Sequence, residues 1–412
     1  MKSKLNKVII KEIPRQQYQE VLLDNIVDKD LQSVLRPLNL MQSIFFCAKY
    51  SIRDNFITPN STCYNCCSIS YIVLYILILL FFLFIMFVLF SFHNVLLNIS
   101  SRLTIQICAC LLVMLLHICS NVVHSNNNVL VVLKIQYAFR ILQIKRRNLI
   151  VLQIFSWISV VTLNFLFILE KNEFKLDISD LHIITFLVTY PNILFEILMV
   201  YATVIVMLLR KALSVWIEKA KKATREYLRK EYHWKEMFKV YSHILEGYQL
   251  LQKTFRLFLI SDTIYVVCNS LVTISICVYA AKFYGLNIVF STTYFIAKVV
   301  WLSRNIGLLS LLCNECEKFY AVLNESQTVN MRLMKTSEWK DTQKRVLKNV
   351  QRLQRASFKK MSAYGLFVVD ATLPLQLAGI ISTYTIAQLQ LLMPENYNNT
   401  TELIFNITWA PT

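Results

Sequence analysis

The run Tyr364–Met393, YGLFVVDATLPLQLAGIISTYTIAQLQLLM, decides how the rest of the chain is read. Asp370 is its single charge. About 20 apolar residues suffice to cross ~30 Å of hydrocarbon, so the run can span a bilayer with a turn or two to spare. Its second half is polar, with Ser382, Thr383, Tyr384, Thr385, Gln388 and Gln390. Such groups at membrane depth need protein or water as partners. On a helix, Thr383, Ala387 and Gln390 fall near one face, with Leu391 just beside it and Tyr384 and Gln388 next to it. That face either hydrogen-bonds to neighbouring helices or lines a wet pathway.

Working outward, the whole chain has the composition of a membrane protein. Of 412 residues, 56% are hydrophobic and 17% charged, with 5 glycines and 7 prolines, and the mean hydropathy is +0.48. No alternating ten-residue strands suggest an outer-membrane barrel. The fold class expected is all-α and polytopic, with seven spans: 68–92, 103–124, 149–169, 183–209, 257–281, 287–312 and 364–393. A polar, basic region, 1–67, precedes them, with no apolar core of a cleavable signal. Its short apolar piece, Leu35–Tyr50, suits an interfacial or packed helix rather than a span.

The formal net charge of +18 does not indicate a nucleic-acid partner, because of its placement. The N-terminal region and the alternate connections carry 9, 5, 12 and 11 Lys and Arg; the opposite side carries 1, 2, 1 and 0. The positive-inside rule puts the N-terminus in the cytoplasm and the C-terminal tail, 394–412, outside. Sequons at Asn98, Asn398, Asn399 and Asn406 fall on the outer side and are expected to be glycosylated. A G-protein-coupled receptor has the opposite orientation.

Two basic connections are long. In 210–256 and just beyond, Met237, Tyr241, Ile244, Tyr248, Leu251, Phe255 and Phe258 alternate by four and three. That is a buried helical stripe, and the fifth helix is expected to project into the cytoplasm. In 313–363, Val346, Val350 and Leu353 share a face among Lys and Arg. This helix either rests on anionic lipid or joins a cytoplasmic anchor bundle, the reading favoured by two amphipathic elements on one side. Neither connection holds a nucleotide-binding glycine motif.

Ionisable groups inside spans are functional candidates. Glu196, Lys298, Arg304 and Asp370 qualify, and a Glu196–Lys298 pair is geometrically possible, since both sit about a dozen residues from the outer ends of their spans. The outer halves also carry Asn164, Tyr190, Asn192, Tyr279, Thr293 and Tyr294. These form either a small-molecule pocket or the interfacial aromatic belt. Eleven cysteines include the groups Cys63/Cys66/Cys67 and Cys313/Cys316. Their spacing permits zinc, but buried structural or acylated juxtamembrane thiols are preferred, and no metal or cofactor is assigned.

The chain resembles the insect gustatory receptors, relatives of the insect odorant receptors. The family's C-terminal signature is Thr-Tyr, five mostly apolar residues, then Gln-Phe. Here Thr383-Tyr384 is followed by TIAQL and Gln390-Leu391, with Leu in place of Phe and Gln388 within the five. The approach SAYGLFVVDATLPLQLAGIIS and the LRPL piece at Leu35 also look like the family. The resemblance implies no enzyme but a ligand-gated, non-selective cation channel in the plasma membrane of chemosensory neurons. It would be a homo- or hetero-tetramer in which the last span lines the pore. Gln390 and Leu391 would form the constriction, with Thr383 and Tyr384 packed behind it. A tastant would bind within the first six spans, and the apolar lining leans to a bitter or other non-sugar compound. The competing reading is a secondary transporter using Glu196, Lys298 and Asp370; no internal repeat supports it.

Overall fold

In the computed structural model the described residues are 25–90, 94–173, 179–222, 231–284, 288–335 and 341–392. Among them are ten helices and two small antiparallel hairpins. In order these are α1 (Lys29–Ile44), β1 (Ser51–Arg53), β2 (Phe56–Thr58), α2 (Thr62–Phe90), α3 (Asn94–Val123), α4 (Ser125–Leu142) and α5 (Arg147–Glu173). There follow α6 (Ser179–Lys221), α7 (Glu231–Tyr284), α8 (Ile288–Lys335), α9 (Asp341–Ser357), β3 (Ser362–Ala363), β4 (Phe367–Val368) and α10 (Leu373–Leu392).

Five stretches of the described residues are long and apolar enough to cross a membrane: 62–85, 104–123, 149–166, 193–221 and 232–276. They coincide with the first five expected spans, and the sixth and seventh fall on α8 and α10. The long basic connections are mostly continuations of the spans themselves. At 1.5 Å per residue, the 43, 54 and 48 residues of α6, α7 and α8 reach about 65, 81 and 72 Å. That is more than twice the hydrocarbon thickness. The three helices converge beyond the apolar zone in a bundle, called the base here.

Helix α7 is the axis of the molecule, packing against α3, α4, α6, α8, α9 and α10. All seven residues of its expected stripe, Met237 to Phe258, are buried. In the base, Trp216 of α6 donates its indole N–H to the Met237 carbonyl at 2.8 Å, and its ring lies 4.9 Å from that of Tyr241. The Tyr241 hydroxyl lies 2.8 Å from Gln354 Oε1 of α9 and 3.1 Å from Ser326 Oγ of α8. Gln354 in turn donates to the Leu323 carbonyl. Helix α9 sinks Leu347 and Val350 into this core, so it is held by protein rather than lying on lipid.

The N-terminal unit is also packed. Helix α1 stands along α5, with Ser33 opposite Gln153 and Met41 opposite Asn164, so the two run in the same direction. The β1–β2 hairpin turns through Asp54 (φ 50°) and Asn55 (φ 84°). Two left-handed residues make the turn that matches strand twist, and Asp and Asn tolerate it. Just before the hairpin, Lys49 is fully buried. Its ammonium donates to Asn121 Oδ1 of α3 at 2.8 Å and lies 4.6 Å from the Phe255 ring centroid. Burial pushes this ammonium down to about 7, with the neighbouring Cys47 thiol opposing the shift; burial pushes that thiol up to about 12.

Candidate functional site

The apolar run that begins at Tyr364 does not form one long helix. Its first residues make the β3–β4 hairpin, which turns at Tyr364 (φ 51°) and Gly365 (φ 82°). Helix α10 starts only at Leu373, eight residues after that glycine. The start has local causes. Asp370 Oδ1 accepts hydrogen bonds from the Thr372 amide and hydroxyl, at 3.0 and 2.6 Å. Those bonds hold its carboxyl below the ordinary range. A carboxylate is favoured at a helix N-terminus, and Pro374 fits the first turn, where no intrahelical N–H bond is lost. The expected seventh span is therefore shortened to 20 residues, and Asp370 caps it instead of entering it.

One face of α10 is packed and the other is bare. Leu373, Leu377 and Ile381 are buried, and Thr385 and Gln388 continue that stripe half-buried. The helix lies against α7 and α8. Thr383, Ala387 and Gln390 lie about half a turn away, and all three are exposed. Tyr384 is also exposed, at 57%. The Leu391 side chain lies outside the described residues.

One hydroxyl makes three of the bonds that fasten the hairpin to the base. Tyr320 of α8 accepts a hydrogen bond from the Met361 amide at 2.9 Å and donates to the Val369 carbonyl at 3.3 Å. Tyr248 of α7 donates to the same hydroxyl at 3.2 Å. Gln249 and Gln252 of α7 bond the carbonyls of Ser357 and Lys360, and Arg256 lies over the Tyr364 ring. Helix α10 thus leaves a hairpin clamped by α7 and α8.

Those two helices also carry the buried polar cluster of the upper bundle. Glu196 of α6 pairs with Arg304 of α8 at 2.6 Å, both largely shielded from solvent. The α6–α8 register sets Arg304 at the level of Glu196; the side chain of the expected partner, Lys298, lies outside the described residues. The planar guanidinium also suits a buried carboxylate better than an ammonium. Around the pair, the Phe195 ring lies 5.3 Å from Tyr265 of α7, and Tyr265 lies 6.3 Å from Trp301.

The Asn269 amide, the Thr273 hydroxyl and the Trp301 indole N–H are buried without a hydrogen-bond partner among the described residues. Buried polar atoms in a native fold are nearly always satisfied, so these mark places for water or ligand. The sequence reading passed over them and over the buried Asp262. Their signal was present: Asp262, Asn269 and Thr273 share one face of an apolar helix at intervals of seven and four.

Of the other expected pocket residues, Asn164 is turned elsewhere. Its amide donates to the Val160 carbonyl of its own helix at 2.7 Å and touches Met41 of α1. The side chains of Tyr190, Asn192, Tyr279, Thr293, Tyr294 and Lys298 lie outside the described residues, as does that of Asn98; Asn398, Asn399 and Asn406 lie outside them altogether. Cys63, Cys66 and Cys67 are exposed, whereas Cys313 and Cys316 are buried.

Long apolar helices, a protein-packed base and a peripheral helix with a bare polar face are those of a polytopic helical membrane protein. The family model of the 7tm chemosensory receptors matches residues 40–391, and the chain belongs to that family. No individual curated protein matches it.

Proposed function

We propose that the protein is a taste-type chemoreceptor that acts as a ligand-gated, non-selective cation channel. The observation that carries this reading is the bare face of α10. A helix that packs Leu373, Leu377 and Ile381 and leaves Thr383, Ala387 and Gln390 uncovered is incomplete in one chain. Several copies, four by the family resemblance, would bring these faces around a common axis. Gln390 and Leu391 then form the constriction. An apolar ring gates by dewetting, and an uncharged amide ring contacts hydrated cations with little selectivity.

In this reading the N-terminus and the base are cytoplasmic, as the placement of Lys and Arg demands. The chain resides in the plasma membrane of a chemosensory cell. The tastant enters among α3, α6, α7 and α8 and meets the unpartnered groups of Asn269, Thr273 and Trp301. It opens the channel to the extent that it binds the open state better.

The test is whole-cell current in cells expressing the chain, with a tastant panel, for the wild type, Gln390→Ala and Leu391→Ala. A tastant-evoked cation current with altered permeability or gating in the variants is expected. A current that ignores both substitutions moves the pore away from α10. Uptake of solute without current would replace the channel by a transporter.

A further inference from the structure

A second site lies far from α10, at the foot of the N-terminal unit. A groove of about 1050 Å³ runs between α1, the β1–β2 hairpin, the start of α2 and the first turns of α5. Its walls carry three cations, Lys29, Arg36 and Arg53, against one carboxylate, Asp54. All four are exposed, and none of the three cations pairs with a carboxylate among the described residues. Asp28 and Asp30, close by in sequence, are already engaged by Arg140 and Arg146.

The groove also holds a waiting polar group. Asn39 Oδ1 is buried without a partner among the described residues. Turned over, the same amide presents two N–H donors. Apolar side chains stand at the groove's edge beside its polar lining. Leu40 and Trp157 stand exposed at the rim, and Ile44, Ile154 and Ile158 continue the exposed apolar surface along α1 and α5.

We propose that this groove binds a phosphorylated anionic headgroup, with Arg36, Arg53 and Lys29 on the phosphates, and that the ligand is a membrane lipid whose acyl chains lie along α1 and α5. Guanidinium groups bind phosphate oxygens in bidentate fashion. The volume suits a bulky headgroup rather than a single small anion. A polar lining beside an apolar edge suits a lipid standing in one leaflet. A soluble organic phosphate shares the headgroup chemistry but makes no use of the apolar rim. The inference goes beyond the channel reading and needs neither current nor tastant.

The test is binding of fluorescent phosphatidylinositol bisphosphate to the purified full-length chain in mixed micelles. Phosphatidylcholine serves as control and soluble inositol trisphosphate as competitor. The phosphorylated lipid is expected to bind in preference to phosphatidylcholine, and Arg36→Gln with Arg53→Gln to weaken it by about fivefold per charge removed. Asp54→Asn, which suits the left-handed turn equally well, is expected to tighten binding several-fold, and it keeps the test decisive if the double variant fails to fold. Failure of inositol trisphosphate to compete supports the lipid; equal competition supports the phosphate site but assigns it to a soluble anion. Binding no better than that of phosphatidylcholine, or Asp54→Asn and the double variant both binding like wild type, overturns the proposal.

Discussion

The base and α10 are built on opposite terms. In the base, long apolar and aromatic side chains from four helices close on each other, and the tyrosine hydroxyls that enter are matched: Tyr241 with Gln354 and Ser326, Tyr248 with Tyr320. On α10, one stripe is packed and the polar face is left open. The upper bundle lies between these extremes, with a sealed ion pair beside polar atoms that have no partner among the described residues. In the proposed reading stability and function are therefore separated along the molecule: the base holds it together, while α10 and the upper bundle would meet other copies and solutes.

Substitutions can break that division. Trp216→Ala should cost about 3–5 kcal/mol, the usual range for deleting a buried aromatic side chain, read as a lowered melting temperature in detergent. An equal loss from Gln390→Ala would refute the separation. Arg304→Leu takes the guanidinium away from the buried Glu196 carboxylate and should cost a similar ~3–5 kcal/mol. Adding Glu196→Gln should recover a good part of it; no recovery would mean that the pair is not what holds α6 to α8.

Lys49 tests the N-terminal unit through pH. Its ammonium is held near 7 in the fold against 10.5 ordinarily, so the unfolded chain binds more protons between those values. Stability should then rise as pH is raised from about 7 toward 10 and be flat below. Lys49→Met should remove that rise, as measured by melting temperature against pH. Tyr320→Phe deletes the hydroxyl shared by Met361, Val369 and Tyr248, and should cost about 1–3 kcal/mol. Because the hairpin leads into α10, it should also shift the tastant concentration for half-maximal current. The smallest effect is expected from Gln390→Ala, within about 0.5 kcal/mol of wild type in stability while changing ion permeation.

Much of this division could be read from the chain. The stripe from Met237 to Phe258 gave α7's buried face correctly because a helix that long repeats its signal. Val350 likewise marked the packed side of α9. The start of α10 was misjudged, although Gly365, Asp370, Thr372 and Pro374 all mark a turn followed by a helix N-terminus; their local signal was outweighed by continuous apolarity. That Arg304 faces Glu196 was out of reach for another reason. Register between distant helices is set by packing along their full lengths, and no spacing rule within one segment contains it. The β1–β2 hairpin is marked by only Asp54 and Asn55 at its turn.

The length of α7 has a mechanical consequence. A continuous rod of about 81 Å touches both the polar cluster around Tyr265 and the clamp around Tyr248, and in the proposed reading it would act as a lever. Tilting it by only one degree about one end displaces the other by about 1.4 Å, on the ~81 Å set by the helical rise. On that reading a ligand would need only to lean on one arm for the other to swing, so the pocket could be small and the movement within it smaller still.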